Sequence, residues 1–306
     1  MSVHVIVGAG PVGSATARLL ADQGEQVRVV TRRGTGPDHP AIERVAADAT
    51  DTSTLAKYCS GVSALYNCAS PPYHRWPVDW PPLAAAFLEA ARTSGAVLVS
   101  TSNLYGYGRV TDAMTEQHPL LASGTKGRIR ARMWFDALAA HEAGHVRTVE
   151  VRSSDYLGAG TQSLLTMSVL PKALAGVRAS VPADLDAPHS WTYVKDVART
   201  LVAVAADENA WGRAWHAPTA APLSVRHITT RVCALADAPP PRLSTMPAAL
   251  LWLGGLGNRT VRELRETQYQ FRKPFVVDSS AATEAFGIEP TPLDVSLQET
   301  VAHLTR

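Results

Sequence analysis

The stretch that decides the fold is VHVIV (Val3–Val7) running straight into GAGPVG (Gly8–Gly13). A helical pattern follows, carrying Ala15, Ala17, Leu19 and Leu20, and then a second apolar run, QVRVV (Gln26–Val30). Strand, glycine turn, helix, strand is the order of a dinucleotide-binding unit. Gly8 makes the tight turn, Gly10 lets the backbone approach a pyrophosphate, and Gly13 lets the helix pack close to the strand. Pro11 and Val12 open the helix, whose free N–H groups are expected to hold the phosphates.

The end of the second run adds detail. An NAD-preferring site places Asp or Glu there to hold the ribose 2′-hydroxyl. This chain has Thr31, followed by Arg32 and Arg33. A carboxylate would repel a 2′-phosphate, whereas a guanidinium can grip it with paired hydrogen bonds. NADP(H) is therefore expected over NAD(H), unless the two arginines are only solvated loop charges.

Outward from this unit, strand-like and helix-like segments alternate. Ala64–Asn67 and Ala96–Ser100 read as strands, Pro81–Thr93 and residues 124–143 as helices, and Val146–Arg152 as a further strand. Such alternation predicts an α/β, Rossmann-type doubly wound parallel sheet with helices on both faces. The second half is less regular. Residues 1–155, with 190–205 returning to them, are expected to form the nucleotide-binding core. Residues 156–306 are expected to supply a smaller C-terminal substrate-binding lobe. Pro239–Pro241 marks a loop, and Pro247–Leu256 an apolar helix beside the cleft.

The 306 residues are enough for one large core and a smaller lobe. A net charge of +2 gives no broad attraction to nucleic acid or a membrane surface. Cys59, Cys68 and Cys233 match no metal spacing and no disulfide framework. No long apolar run and no leader pattern is seen, so a cytoplasmic protein without a membrane span is expected.

Four strand ends form the expected pocket wall, and their motifs carry a family resemblance. Asp48 resembles the acidic residue beside the adenine. Asn67-Cys68-Ala69, leading into Ser70, resembles an NAA element along the cofactor. VSTSNLYG (Val99–Gly106) resembles VSTxxxYG, RSSDYLGAG (Arg152–Gly160) resembles RxxNxYGPG, and WTYVKDV (Trp191–Val197) resembles xxxVxDV. In this order the motifs resemble the extended short-chain dehydrogenase/reductase superfamily, which includes epimerases and dehydratases of sugar nucleotides. The resemblance implies a homodimer through residues 81–93 and 124–143.

The catalytic core departs from that pattern. The family uses Ser or Thr with a YxxxK pair, in which Lys lowers the Tyr pKa and holds the nicotinamide ribose. Thr101 matches the Ser/Thr position, but Lys126 stands at the Tyr position and Arg130 at the Lys position. The chain is thus identified as an atypical member lacking YxxxK. Arg130 can bind a hydroxyl or phosphate but cannot act as an acid. Lys126 could donate a proton if its pKa fell, or could bind an anion or the cofactor. Other candidate donors are Tyr105, Tyr73 and His74, the last two otherwise packing as a loop cap. Asn103 could orient a carbonyl. Asp155 could act as an acid or pair with an arginine. Tyr156, His189, Trp191 and Tyr269 are expected on the substrate side, together with Tyr73.

An NADPH-dependent reductase of a carbonyl, imine or activated alkene on a small organic molecule is the leading expectation. Thr101 would polarise the acceptor. An epimerase or dehydratase type with a recycled cofactor, or a non-enzymatic NADP(H) sensor, are the alternatives. No metal is expected.

Overall fold

A computed structural model describes residues 2–257 and 259–305. The chain opens with β1 (Val3–Val7), α1 (Pro11–Asp22), β2 (Gln26–Thr31) and β3 (Ile42–Ala46). Next come α2 (Thr52–Tyr58), β4 (Ala64–Asn67), α3 (Trp76–Ser94), β5 (Val97–Asn103), α4 (Thr125–Glu142) and β6 (Thr148–Ser153). Beyond them lie β7 (Asp155–Leu157), α5 (Leu170–Leu174), β8 (Ala179–Val181), β9 (Trp191–Tyr193), α6 (Val194–Ala206) and β10 (Ala214–His216). The chain closes with α7 (Val225–Leu235), β11 (Leu243–Thr245), α8 (Ala248–Gly257), α9 (Arg259–Thr267), α10 (Ser280–Phe286) and α11 (Leu293–Leu304).

Seven strands form one parallel sheet in the order β10-β6-β5-β4-β1-β2-β3. Strands buried on both faces must be apolar throughout, which is why β1 and β2 read as continuous runs of Val and Ile. On one face Ile6, Val29, Tyr66, Val99 and Val151 pack with Val197 and Leu201 of α6. On the other, Val5, Val7, Leu65 and Leu98 pack with Leu83 and Phe87 of α3. The strand order reverses between β1 and β4, so a crevice opens at their carboxyl ends. There Val7 lies opposite Asn67, and Asn67 opposite Ser100.

The second lobe has its own core, built from Leu157, Leu165, Leu170, Val181, Ile228 and Leu297. The sheet takes back more of the chain than 190–205, because β10 adds a seventh strand beside β6. A three-residue strand carries too little pattern to be read in advance.

The helix expected from Pro81 begins five residues earlier, at Trp76. Pro81 and Pro82 lie inside it rather than at its start. Both prolines are exposed, and the buried pair Trp76 and Trp80, one turn apart, anchors the first turn despite the lost N–H groups.

Candidate active site at the carboxyl ends of the strands

The glycine turn is built as its spacing requires. Gly8 has φ +104°, and a Cβ there would lie 2.5 Å from the Cys68 carbonyl oxygen. A Cβ on Gly13 would lie 2.0 Å from the Gly8 carbonyl oxygen, so α1 and β1 meet backbone to backbone. At Gly10 a Cβ would meet nothing within 4 Å. Gly10 caps α1 and no side chain bonds to its first turn, with Pro11 following. Open space before uncapped N–H groups fits the pyrophosphate of a dinucleotide.

The residues around this turn divide by role. The Thr31 hydroxyl accepts from the Thr35 N–H at 2.7 Å, which bends the chain after β2 and leaves Arg32 and Arg33 exposed. The Asp48 carboxylate accepts from the N–H and hydroxyl of Thr50, which hold its pKa below the usual range. Cys68 is buried, and burial pushes its thiol up to about 12, so it is no nucleophile. Asn67 Oδ1 accepts from the Ala69 N–H at 3.3 Å, and Ser70 is exposed.

At the ends of β4 and β5 two phenols meet. The Tyr73 and Tyr105 hydroxyls are 2.7 Å apart. Tyr105 reaches this position because Asn103 Oδ1 accepts from its N–H at 3.1 Å. The Asn103 amide oxygen therefore shapes the turn. The Thr101 hydroxyl donates to the Asn67 carbonyl at 2.8 Å. That hydrogen bond joins β5 to β4. Tyr73 also packs edge-on against Trp76, 5.1 Å between centroids, so donor and loop cap are one residue. His74 is exposed on the short turn at 73–75, apart from this pair.

Burial raises both phenols, Tyr105 well above its ordinary value. The shared hydrogen bond lowers Tyr73 and raises Tyr105, and the Asp155 charge raises both. Neither is a phenolate at neutral pH.

Lys126 is only 3% exposed, and its ammonium contacts Glu263 at 2.5 Å and Glu266 at 3.1 Å. Glu266 also accepts the Lys126 backbone N–H at 2.6 Å. Both carboxylates come from α9, which sequence reading missed. Their signal was RTVRELRET (Arg259–Thr267), where two acids three residues apart share a helix face. With two anions at its nitrogen, Lys126 is a structural tie rather than a free acid.

Arg130 is buried, with its guanidinium 4.3 Å from the Trp80 ring centroid and 4.8 Å from that of Trp76. Its Nη1 donates to the Thr101 carbonyl at 3.4 Å. Burial lowers its pKa, opposed first by the Glu150 charge.

Asp155 pairs with His189 at 2.9 Å, not with an arginine. The His189 ring stacks on Phe271 at 4.7 Å, and Trp191 is buried beside it, its indole N–H donating to the Leu223 carbonyl. Tyr156 is held by the Ser153 hydroxyl at 2.9 Å, and Tyr269 lies under Arg109. A buried network was also missed. Arg152 Nη1 donates to the Tyr107 hydroxyl, which donates to His216 Nε2, and His216 Nδ1 donates to the Asp278 carbonyl, each at 2.7 Å. The charges within TVEVRS (Thr148–Ser153) were its signal.

Among the described residues no His, Cys, Asp and Glu cluster could hold a metal. None of the described helices is long and apolar enough to cross a membrane.

The NAD dependent epimerase/dehydratase family matches residues 4–215. The chain belongs to that family. It is an enzyme family of the short-chain dehydrogenase/reductase type, and the parallel sheet agrees with it. Similar solved structures include dTDP-glucose 4,6-dehydratase from Bacillus anthracis in complex with NAD, with TM-score 0.80 and 16% identity over 100% of this chain and 97% of that one. The Thermotoga maritima UDP-glucose 4-epimerase with UDP-glucose gives 0.78 and 16% over 99% and 98%. The Bordetella bronchiseptica enzyme WbmH in complex with NAD+ gives 0.77 and 19% over 100% and 99%. No curated protein matches significantly.

Proposed function

We propose that this family member performs nucleotide-dependent hydride transfer on a small organic molecule, with the Tyr73–Tyr105 pair replacing the missing Tyr–Lys pair. The pair's 2.7 Å contact, beside the end of β5, carries this reading. When bound on the Gly8–Gly13 turn, the nicotinamide supplies and accepts the hydride.

The chain's own residues handle the proton. Tyr105 presents an O–H to the substrate oxygen, and Tyr73 replaces the proton along their hydrogen bond. In the opposite direction a proton must leave, and Asp155 is the carboxylate whose charge both phenols feel. His189 holds Asp155 from behind. Arg130, at the sequence position of the family lysine, would meet the ribose and supply the fixed cation of the site.

Family membership favours the redox-neutral mode, with a nucleotide retained and recycled as in epimerases and dehydratases. Net reduction by NADPH is the second reading. That reading needs a protonated group beside the substrate, and burial keeps both phenols protonated. Under either reading the exposed Arg32 and Arg33 favour NADP(H), and a homodimer across α3 and α4 in the cytoplasm is the expected setting.

Denaturing the purified protein and separating the released nucleotide tests the modes. A dinucleotide released in stoichiometric amount supports recycling. Protein purified empty that binds NADPH reversibly supports the reductase. Failure to bind any nicotinamide nucleotide overturns both.

A further inference from the structure

The connection from β5 to α4 folds back on itself, because the Ala122 N–H donates to the Gly106 carbonyl at 3.1 Å. Between this loop and the residues that end α9 lies a cavity of about 620 Å³, walled by residues 105–112, 118–127 and 265–269. That is the size of a small-molecule pocket. Tyr105 of the phenol pair stands in its wall. Tyr269, also in the wall, is close enough to bear on the ionisation of Tyr105.

Two donors on that wall stand ready for a ligand. Arg109 is exposed, with its guanidinium held 5.9 Å from the Tyr269 ring centroid, and among the described residues no carboxylate lies within ion-pair distance of it. His118 is half-buried and fixed in one tautomer. Its Nδ1 faces the Thr115 backbone N–H at 3.0 Å, and a backbone N–H can only donate. The proton of a neutral His118 ring therefore sits on Nε2, which has no hydrogen-bond partner among the described residues. The other charges of the wall are engaged or lie at its edge. Glu266 is taken by Lys126, Arg265 is turned onto the Trp252 ring, and Asp112 is exposed. One guanidinium and one imidazole N–H match the two oxygens of a single carboxylate. A diphosphate would bring more charge than they meet.

We propose that the substrate is a small organic acid, whose carboxylate accepts from Arg109 and from His118 Nε2 while its reacting carbon faces Tyr105. This deepens the proposed function and rests on it, because Tyr105 is the proton donor only under that reading. One small molecule reaches both ends, since Arg109, His118 and Tyr105 share one cavity wall. Arg109 is then the residue that sets specificity, and the Tyr269 ring is the platform that holds its guanidinium over the cavity.

Calorimetric titration with 4-carboxybenzaldehyde, against neutral 4-formylbenzamide, tests this on nucleotide-free and NADP+-saturated protein. The acid should bind at one site per chain, and the amide at least about tenfold more weakly. Arg109→Met changes an exposed side chain and should melt like wild type, bind NADP+ as wild type does and lose the preference for the acid. Arg109→Lys should recover part of that preference. His118→Phe should weaken the acid and leave the amide unchanged. UDP should not displace the acid. No binding of the acid, equal binding of acid and amide, a preference that survives in Arg109→Met, or displacement by UDP would each overturn the proposal. The reading beneath it fails differently. Protein that takes the acid through Arg109 but binds no nicotinamide nucleotide keeps the carboxylate site and refutes hydride transfer, whereas protein that binds nucleotide without preferring the acid refutes the site alone.

Discussion

The hydroxyls of Tyr73 and Tyr105 stand 2.7 Å apart although the residues are separated by 32 positions, one after β4 and the other after β5. That contact joins the loops after β4 and β5, and under the proposed function it supplies the proton donor where the family tyrosine is missing. Tyr105→Phe should lower kcat by about 10²–10⁴-fold with little change in KM, as expected for a lost general acid. Tyr73→Phe should cost less, because Tyr105 keeps its own proton. Steady-state kinetics on an identified substrate checks the order of the two effects.

Tyrosine ionisation gives an independent check. Burial raises both phenols. An ultraviolet difference titration of wild type against Tyr73→Phe and Tyr105→Phe should show neither of these two phenols ionising below the ordinary value of about 10. A tyrosine titrating near neutrality would show a phenolate base of the usual family kind.

Lys126 ties α4 to α9 across more than 130 residues of sequence. Lys126→Met leaves Glu263 and Glu266 facing each other without a cation. The variant should lose stability and become more sensitive to proteolysis within residues 248–267, yet keep its nucleotide affinity. Loss of about 3–5 kcal/mol is the range for breaking a buried pair, reduced here because both carboxylates are partly exposed. Unchanged melting and proteolysis with abolished activity would instead make Lys126 the acid.

These three elements also show where sequence reading stops. The glycine turn and the strand–helix alternation are local, so the parallel sheet and the tight β1–α1 turn were legible. The Tyr73–Tyr105 contact, the Trp76–Trp80 shelf under Arg130 and the α9 carboxylates on Lys126 join distant segments, and no periodicity encodes them. Thr101 and Asn103 could be placed at the end of β5, but their hydrogen-bond partners could not. Thr101 bonds across to β4, and the Asn103 amide oxygen holds the turn that presents Tyr105.

His216 should make stability depend on pH. Burial lowers its pKa, and the hydrogen-bond chain from Arg152 through Tyr107 requires an unprotonated Nε2. The unfolded chain therefore takes up this proton first. Its contribution is fully present above the unfolded value of about 6.5 and declines as pH falls below it, by at most about 1.4 kcal/mol per pH unit. Thermal melts of wild type and His216→Asn across that window should differ in slope, with the variant flatter.

The phosphate end separates folding from binding. Gly13→Ala drives a methyl into the Gly8 carbonyl and should disrupt the β1–α1 unit. Gly10→Ala meets only open space and should melt like wild type. It should nevertheless bind nucleotide at least about tenfold more weakly, roughly 1.4 kcal/mol, if a pyrophosphate uses that space.

The most direct measurement is a titration of nucleotide-free protein with NADPH and with NADH, followed by energy transfer from tryptophan to the nicotinamide. Both should bind at one site per chain, NADPH more tightly, with that preference reduced in an Arg32→Ala, Arg33→Ala double variant. Absence of binding by either nucleotide, or an affinity unaffected by Gly10→Ala, would contradict the assignment of the glycine turn as the cofactor site.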